Sequence, residues 1–316
     1  MKLTEYLNPN KTLFSFEVLP PMKGKSIESL YNAIDPLMEF KPAFVDVTYH
    51  REEYILRPRP NGGYDKISTK KRPGTVAICA AIMNKYHVEA VPHLICGGFS
   101  KDETENALID LNFLGIQNIL ALRGDNLREE RSFTPEKNGN SNALDLLRQI
   151  TDMNNGVYQD QELENPTVTD FCIGAAGYPE KHIDAPNIES DLKFLKRKVD
   201  AGAEFITTQM FFDNQKYFDY VKRCREAGIN VPIIPGIKPI TKKAHFYTLP
   251  KIFNMDIPVD LSNELEKAKD DAAAKQIGIE WCIQQCKELY AHNVPALHFY
   301  TMSFSSSTKA VVSEVF

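Results

Sequence analysis

The chain has 316 residues, of which 43% are hydrophobic and 25% are charged, so it can bury a large core. Acidic residues outnumber basic ones by 42 to 37, and the resulting net charge of −5 argues against a nucleic-acid binder. No segment approaches the roughly 18 apolar residues of a membrane span, and we expect no signal peptide after Met1.

Eight short segments rich in β-branched and aromatic residues are predicted to be strands. In chain order they cover residues 13–19, 44–49, 90–96, 118–123, 171–178, 205–212, 232–237 and 296–302. Helical patterns separate them. Ser100 followed by Glu103 predicts a capping box, and Asn187 and Asp213 predict two further helix starts. Residues 261–292 are predicted to form two helices that join near Gly278.

The alternation of strands and helices predicts a parallel sheet, and eight such units predict that the sheet closes. We therefore expect an α/β fold, a (β/α)8 TIM barrel that forms a single domain over residues 1–316. An open, doubly wound sheet is the alternative, but no Gly-x-Gly-x-x-Gly pattern follows the first strand. Residues 50–72 are predicted to be a long basic loop within the barrel, of the kind that serves as a lid or binding loop.

Polar side chains recur near the C-terminal ends of five predicted strands, two residues apart and hence on one face. Active sites of TIM barrels lie at that end of the strands. One such residue would indicate only a hydrogen-bonded core group, but five strands with the same pattern predict a polar pocket at the barrel mouth. The pairs are Ser15 and Glu17, Asp46 and Thr48, Arg123 and Asp125, Thr207 and Gln209, and His298 and Tyr300.

Three further motifs are ambiguous when taken singly. Arg123-Gly124-Asp125 is often only a surface turn, although at a strand end it offers forked donors and a close backbone approach. A lone histidine such as His93 is more often a core residue than a ligand, and no spacing of His and Cys predicts a metal site. The basic run at residues 195–203 is usually a solvated helix face, but it would also suit a cofactor diphosphate.

Taken in order, these segments resemble the methylenetetrahydrofolate reductase family over residues 13–302. Each motif is modest alone, whereas the ordered set is specific. The motifs are Phe14-Ser15-Phe16-Glu17 with Pro20-Pro21, Val47-Thr48-Tyr49, Pro92-His93-Leu94, Leu122-Arg123-Gly124-Asp125, Gly177-Tyr178-Pro179-Glu180-Lys181-His182, residues 196–203, Thr208-Gln209-Met210-Phe211-Phe212-Asp213, Ile234-Pro235-Gly236-Ile237 and His298-Phe299-Tyr300-Thr301.

The resemblance implies a non-covalently bound FAD that takes hydride from NADH or NADPH and reduces 5,10-methylenetetrahydrofolate to 5-methyltetrahydrofolate, the methyl source for methionine synthesis. Glu17 matches the family's general acid, Asp125 its carboxylate beside flavin and pterin, and Gln209 its contact to folate and nicotinamide. Cofactor-binding positions are matched by Thr48, Tyr49, His93, Arg123, Gly124, Asp125, Ala143, Tyr178, His182, Ala185, Asp191, Arg197 and Lys198.

These roles agree with the chemistry that the resemblance implies. The apolar neighbours of Glu17 in the first strand are the setting that raises the pKa of an acid toward working pH. The ring-opened folate is a cationic iminium ion, which a carboxylate at Asp125 would stabilise.

Three positions depart from the family pattern. His50 and the longer basic loop follow Tyr49, and Phe194 stands where some relatives have a polar flavin contact. Ser303-Phe304 follow Met302, where many relatives have an arginine that holds folate. Basic residues that could replace that arginine at the folate tail are Lys242, Lys243, Arg51, Arg57 and Arg59.

Two other functions are considered: a flavin barrel of the proline dehydrogenase type, and a folate- or flavin-binding subunit that works with a partner reductase. Glu17 before Pro20-Pro21 favours the folate enzyme, and the presence of Asp125 and Gln209 favours catalysis. We expect a cytoplasmic homo-oligomer with a folate substrate and no nucleic-acid or membrane partner. The six cysteines are scattered singly, which is typical of reduced thiols in that compartment.

Overall fold

The computed structural model describes residues 1–7, 11–70, 72–127, 130, 132–302 and 304–316. Its strands are β1 (Leu13–Val18), β2 (Phe44–Val47), β3 (Glu53–Pro58), β4 (Tyr64–Lys70), β5 (Glu89–Ile95), β6 (Asn118–Leu122), β7 (Cys172–Gly177), β8 (Ala203–Met210), β9 (Ile233–Ile237) and β10 (Ala296–Tyr300). Its helices are α1 (Glu28–Met38), α2 (Thr75–Tyr86), α3 (Lys101–Phe113), α4 (Ala143–Asn154), α5 (Ile188–Asp200), α6 (Asn214–Glu226), α7 (His245–Phe253), α8 (Val259–Lys267), α9 (Asp271–Ala291) and α10 (Ser305–Val315).

Eight strands of the described chain close into a barrel in the order β1, β10, β9, β8, β7, β6, β5 and β2, and β2 pairs with β1. All neighbouring strands in the barrel are parallel. Helices follow the strands and pack around them. The predicted α/β class and single (β/α)8 TIM barrel are thus confirmed, and each predicted strand overlaps one strand of the barrel.

The barrel interior is apolar toward the N-terminal ends of its strands. Phe44, Val91, Leu120 and Phe205 pack together there, and Leu3 from the segment before β1 joins them. Gly174 provides the room for this packing, because a Cβ at that position would lie 2.3 Å from the Phe205 ring. This layer plugs one end of the barrel.

Residues two apart along a strand point to the same side, so the next inward-facing positions lie two residues further on. On five of the strands these positions are polar. Ser15, Asp46, His93, Thr207 and His298 are all buried. The ring of His298 stacks on Phe44, with 5.7 Å between ring centroids, so the polar layer lies directly on the apolar plug. A polar floor therefore underlies the C-terminal mouth of the barrel.

The predicted helix starts are confirmed. Ser100 and Glu103 form a reciprocal capping box, and the side chains of Asn187 and Asp213 accept hydrogen bonds from backbone N–H groups of α5 and α6. Among the helices described, none combines the length and apolar character needed to cross a membrane.

The predicted join near Gly278 is wrong. The break between the two late helices lies between Lys267 and Asp271, and Gly278 is inside α9. A Cβ at position 278 would lie 2.1 Å from the carbonyl oxygen of Ile240. Gly278 therefore allows α9 to approach the loop that contains Ile240 closely, and it does not end a helix.

The predicted loop at residues 50–72 is largely a β-hairpin, which corrects its interpretation as irregular chain. Strands β3 and β4 pair antiparallel, with Ile55 opposite Ile67 and Pro58 opposite Tyr64. The turn is closed by the Arg59 N–H, which donates to the carbonyl of Gly63 at 3.0 Å. Lys71, a further basic residue of this segment, lies outside the described residues.

Candidate active site

Three ionisable side chains from adjacent strands meet above the polar floor. The Nε2 atom of His93 on β5 lies 3.2 Å from an Asp46 carboxylate oxygen on β2 and 3.8 Å from a Glu17 oxygen on β1. The exposed fraction of these side chains is 12% for Glu17, 6% for His93 and 1% for Asp46. Two carboxyl groups therefore share one histidine in a nearly dry setting.

Burial raises the pKa of the Glu17 carboxyl to about 7, with a further upward push from Asp46, while His93 and Lys238 act in the opposite direction. For His93, burial disfavours the charged ring, but the hydrogen bond to Asp46 and the charges of Glu17 and Asp46 outweigh it and raise the pKa. An acid whose pKa lies near 7 can hold and release a proton at neutral pH.

His298 completes the floor of the site on β10. Its Nδ1 atom lies 2.9 Å from the Ser15 hydroxyl, and its Nε2 atom lies 3.8 Å from Asp46. Burial lowers the pKa of His298 despite the charge of Asp46. The ring is thus neutral at pH 7 and adds no formal charge beside Glu17.

Lys238 belongs to this site, although the sequence analysis did not identify it. It directly follows β9, has an exposed fraction of 8%, and donates from Nζ to the Tyr300 carbonyl at 3.4 Å. Burial lowers the pKa of Lys238 to about 8, against the opposing charge of Glu17. The available signal was a lysine directly after the apolar strand 233–237.

A second group of polar side chains lies at the ends of β6 and β7. Arg123 donates to the Asp184 carboxylate at 2.5 Å, and the Asp184 N–H donates to Nδ1 of His182 at 3.1 Å. The His182 ring meets Tyr178 edge-on, with 4.6 Å between centroids. Burial lowers the pKa of His182 and raises that of Tyr178, so both rings are neutral at pH 7.

Helix α5 contributes Asp191 and Lys198 to this second group. Asp191 accepts a hydrogen bond from the His182 N–H at 2.8 Å. Lys198 is 5% exposed, donates to the Ala176 carbonyl at 2.7 Å, and has its pKa lowered by burial to about 8, against the charge of Asp191. Arg197, the next residue on the helix, is exposed, and its guanidinium lies over the Phe194 ring. Of the three cations in the basic run, only Lys198 is buried.

His50 follows β2 near these groups in the chain. Desolvation lowers the pKa of His50, the charge of Asp125 opposes that fall, and the charges of Arg72 and His93 add to it. Asp125 itself is exposed beside Gly124, whose φ of +85° is a conformation that glycine adopts at little cost. The carboxylate of Asp125 is thus exposed at the barrel mouth, whereas the Glu17 side chain has an exposed fraction of only 12%.

Other predicted site residues lie around these groups. Thr48 is buried and bonds the Val18 carbonyl, Tyr49 packs against Phe99, and Gln209 folds its amide oxygen onto the N–H of Met210 at 2.9 Å. Ala143 is the first residue of α4, and the N–H of Ala185 donates to the His182 carbonyl at 3.0 Å in the turn after His182.

Several cations proposed for the folate tail are engaged within the protein. Arg51 bonds Glu130 and Glu136, Arg59 pairs with Asp65, and the Lys243 ammonium donates to the Ala268 carbonyl. The exposed side chains of Lys242 and Arg57 remain as candidates. Phe304 is 76% exposed, and Ser303 lies outside the described residues.

The barrel thus carries at its C-terminal mouth a buried acid and a second group of polar side chains that contains buried and exposed cations. A family model described as methylenetetrahydrofolate reductase matches residues 2–315. The chain therefore belongs to the methylenetetrahydrofolate reductase family.

Individual relatives agree with this assignment. The chain is 34% identical to methylenetetrahydrofolate reductase (NADH) 1 of Arabidopsis thaliana over 98% of its own length, which is 49% of that protein. It is 34% identical to the 5,10-methylenetetrahydrofolate reductase of Escherichia coli, with 94% of this chain and 88% of that one covered. The chain thus spans about half the length of the eukaryotic relative and most of the bacterial one.

A solved structure shares the fold. An uncharacterized protein from Clostridium thermocellum, described as binding two copies of 5-methyl-5,6,7,8-tetrahydrofolic acid, superposes with a TM-score of 0.60 at 13% identity. The alignment covers 100% of this chain and 98% of the other. At this identity the likeness concerns the barrel alone.

Proposed function

We propose that the chain reduces 5,10-methylenetetrahydrofolate to 5-methyltetrahydrofolate, with FAD as cofactor and NADH or NADPH as reductant. The observation that carries the proposal is the Glu17 carboxyl, which is buried at the barrel mouth with its pKa raised by burial to about 7. Family membership supports the reaction, since relatives are named for it with NADH or with NADPH.

The second group of side chains fits FAD. Arg123 and the buried Lys198 are cations suited to a diphosphate, and Gly124 allows a flat ring to approach the backbone. When bound there, FAD would supply the hydride chemistry. Tyr178 and the neutral ring of His182 would then contact the cofactor without adding charge.

Glu17 would act on the folate. Its proton passes to a nitrogen of the bridging five-membered ring, the carbon–nitrogen bond opens, and a cationic iminium ion forms. The exposed Asp125 carboxylate would stabilise that cation. The low exposure of the Glu17 side chain, 12%, limits competition from water for its proton.

The direct test is a visible spectrum of the purified protein, followed by anaerobic addition of NADH or NADPH and then of methylenetetrahydrofolate. We expect a yellow protein that bleaches with nicotinamide and regains colour with folate. A protein that takes up neither FAD nor FMN would refute the proposal. Bleaching without reoxidation by folate would instead indicate another flavin barrel or a binding subunit.

Glu17→Gln separates the two half-reactions, because glutamine keeps the shape and loses the proton. Stopped-flow traces should show flavin reduction by nicotinamide unchanged and reoxidation by folate slowed by roughly 10²–10⁴-fold, the range for lost acid catalysis. Equal slowing of both steps would assign Glu17 a structural role. The nicotinamide preference, the cytoplasmic location and homo-oligomeric assembly remain predictions.

A further inference from the structure

Lys238 and Glu17 are ionisable residues of low exposure, 8% for Lys238 and 12% for the Glu17 side chain. We propose that Lys238 is a positioning residue for Glu17: its charge holds the carboxyl in place and balances the carboxylate that remains once Glu17 has given up its proton. The catalytic part of this inference rests on the proposed function, whereas the charge coupling between the two residues does not.

The packing around β9 fixes where Lys238 can reach. Gly236 has no space for a side chain, since a Cβ there would lie 2.2 Å from the Thr208 carbonyl oxygen and 2.5 Å from the Tyr300 ring. Tyr300 is held in turn by its hydroxyl, which donates to that Thr208 oxygen at 2.6 Å. The backbone two residues before Lys238 is therefore locked against Tyr300.

Tyr300 brings Lys238 to Glu17. In the register between β1 and β10, Glu17 is the partner of Tyr300, and the ammonium of Lys238 donates to the Tyr300 carbonyl at 3.4 Å. The neighbouring Thr301 hydroxyl donates to the Glu17 carbonyl at 2.6 Å. The ammonium is thus anchored at the residue that stands beside Glu17.

The groups that face Glu17 from the neighbouring strands do not supply a positive charge that Glu17 has to itself. From β2 it faces Asp46, another carboxylate, and from β10 it faces His298, whose pKa is lowered by burial, and the phenol of Tyr300. His93 on β5 lies nearer to Asp46, at 3.2 Å, than to Glu17, at 3.8 Å, so the two carboxyl groups share its charge. Lys238 is the second cation that acts on Glu17, with a smaller effect on its pKa than His93.

The proton affinities agree with this pairing. Burial raises the pKa of Glu17 to about 7 while Lys238 acts against the rise, and burial lowers the pKa of Lys238 to about 8 while Glu17 acts against the fall. Each group thus favours the charged form of the other. An ammonium close to Glu17 also stabilises the carboxylate produced by proton transfer, which would lower the barrier to that step.

If the role of Lys238 were purely structural, its ammonium would act only as a hydrogen-bond donor to the Tyr300 carbonyl. Lys238→Gln removes the charge but keeps an N–H donor for that carbonyl, and Lys238→Arg keeps the charge. Comparison of the two variants therefore separates electrostatic coupling from hydrogen bonding.

The experiment is a carbon-13 NMR titration of holoenzyme that carries glutamate labelled at the side-chain carboxyl. The Glu17 resonance is assigned by its absence in Glu17→Gln. We expect Lys238→Gln to raise the titration midpoint of Glu17 by roughly 1 unit, the lower range for loss of a nearby opposite charge, and Lys238→Arg to leave it within a few tenths. An unchanged midpoint in Lys238→Gln would overturn the proposal.

The kinetic readout tests the catalytic part. The pH profile of flavin reoxidation by folate should shift to higher pH in Lys238→Gln by the same amount, with flavin reduction by nicotinamide unchanged. A shifted NMR midpoint in a protein that never reduces folate would reject the proposed function and retain the coupling. A shifted midpoint with an unshifted folate profile would reject the role of Lys238 in that step.

A reciprocal titration covers the case in which Lys238→Gln does not fold. In Glu17→Gln, which is nearly isosteric, the ε-carbon resonance of Lys238 should titrate at lower pH than in the unaltered protein. Lys238→Arg assigns that resonance by its absence. A Lys238 midpoint that does not move on loss of the Glu17 charge would also overturn the proposal.

Discussion

Replacement of Glu17 by glutamine should stabilise the protein at alkaline pH. Burial raises the pKa of this carboxyl from an ordinary 4.5 to about 7. Between these two values the folded protein retains a proton that the unfolded chain has lost. Ionisation of Glu17 therefore costs folding free energy, and this cost grows as the pH rises from 4.5 through 7.

The magnitude follows from the size of the shift. One pKa unit corresponds to about 1.36 kcal/mol, so the full difference amounts to about 3 kcal/mol above pH 8. At pH 5 the difference is still below about 1 kcal/mol, because pH 5 lies only about half a unit above the pKa of the unfolded carboxyl. Glu17→Gln should thus gain about 2 to 3 kcal/mol over the native protein between pH 5 and pH 8.

Urea unfolding of both proteins at several pH values measures this gain. Glu266→Gln is a matched control, since it makes the same chemical change at an exposed position of α8. The control should follow the native protein at every pH. A gain from Glu17→Gln that does not depend on pH, or a loss at pH 8, would show that Glu17 is not held protonated by burial.

Four other substitutions test three separate parts of the structure. Lys198→Met should raise the FAD dissociation constant at least about tenfold in a fluorescence titration, because it removes a buried cation. Lys196→Met, at a partly exposed position of α5 where the ammonium pairs with Asp200, should not, and equal effects would refute a specific anchor. Gly278→Ala should cost about 1–3 kcal/mol or more of unfolding free energy, since its methyl group would meet a backbone oxygen, and an unchanged urea midpoint would contradict that contact. Lys242→Ala and Arg57→Ala should raise the Michaelis constant for folate without a change in flavin reduction, and if neither does, charge at these positions does not hold the folate tail.

The barrel was predictable because its signals are local and repeated. Each strand is a short apolar run, and side chains such as Asn187 and Asp213 mark helix starts by hydrogen bonds within their own first turn. Eight units leave few alternatives to closure. Strand ends were less certain: the last strand ends at Tyr300, two residues before its predicted end.

Two predictions were wrong for different reasons. In one the contacting residue is distant in the sequence, and in the other a local sequence signal was overlooked. Gly278 resembles a helix end in the sequence, and only the position of the Ile240 carbonyl explains it as a close contact. The hairpin at residues 53–70 carried a local signal, Asn61-Gly62-Gly63, which is typical of a tight turn between strands. Charged residues around that turn favoured the interpretation as a loop.

The environment of the acid depends on contacts that no local pattern contains. Period-two alternation placed Glu17 inside the barrel mouth, but its neighbour Tyr300 comes from the other end of the chain through the pairing of β1 with β10. Lys238 reaches the same level because β9 is next in the barrel. A slip of one residue between β1 and β10 would place Phe299 or Thr301 beside Glu17 in place of Tyr300, the residue that anchors the ammonium. The proton affinity of Glu17 is therefore a property of barrel register, and its partners become visible only once the barrel has closed.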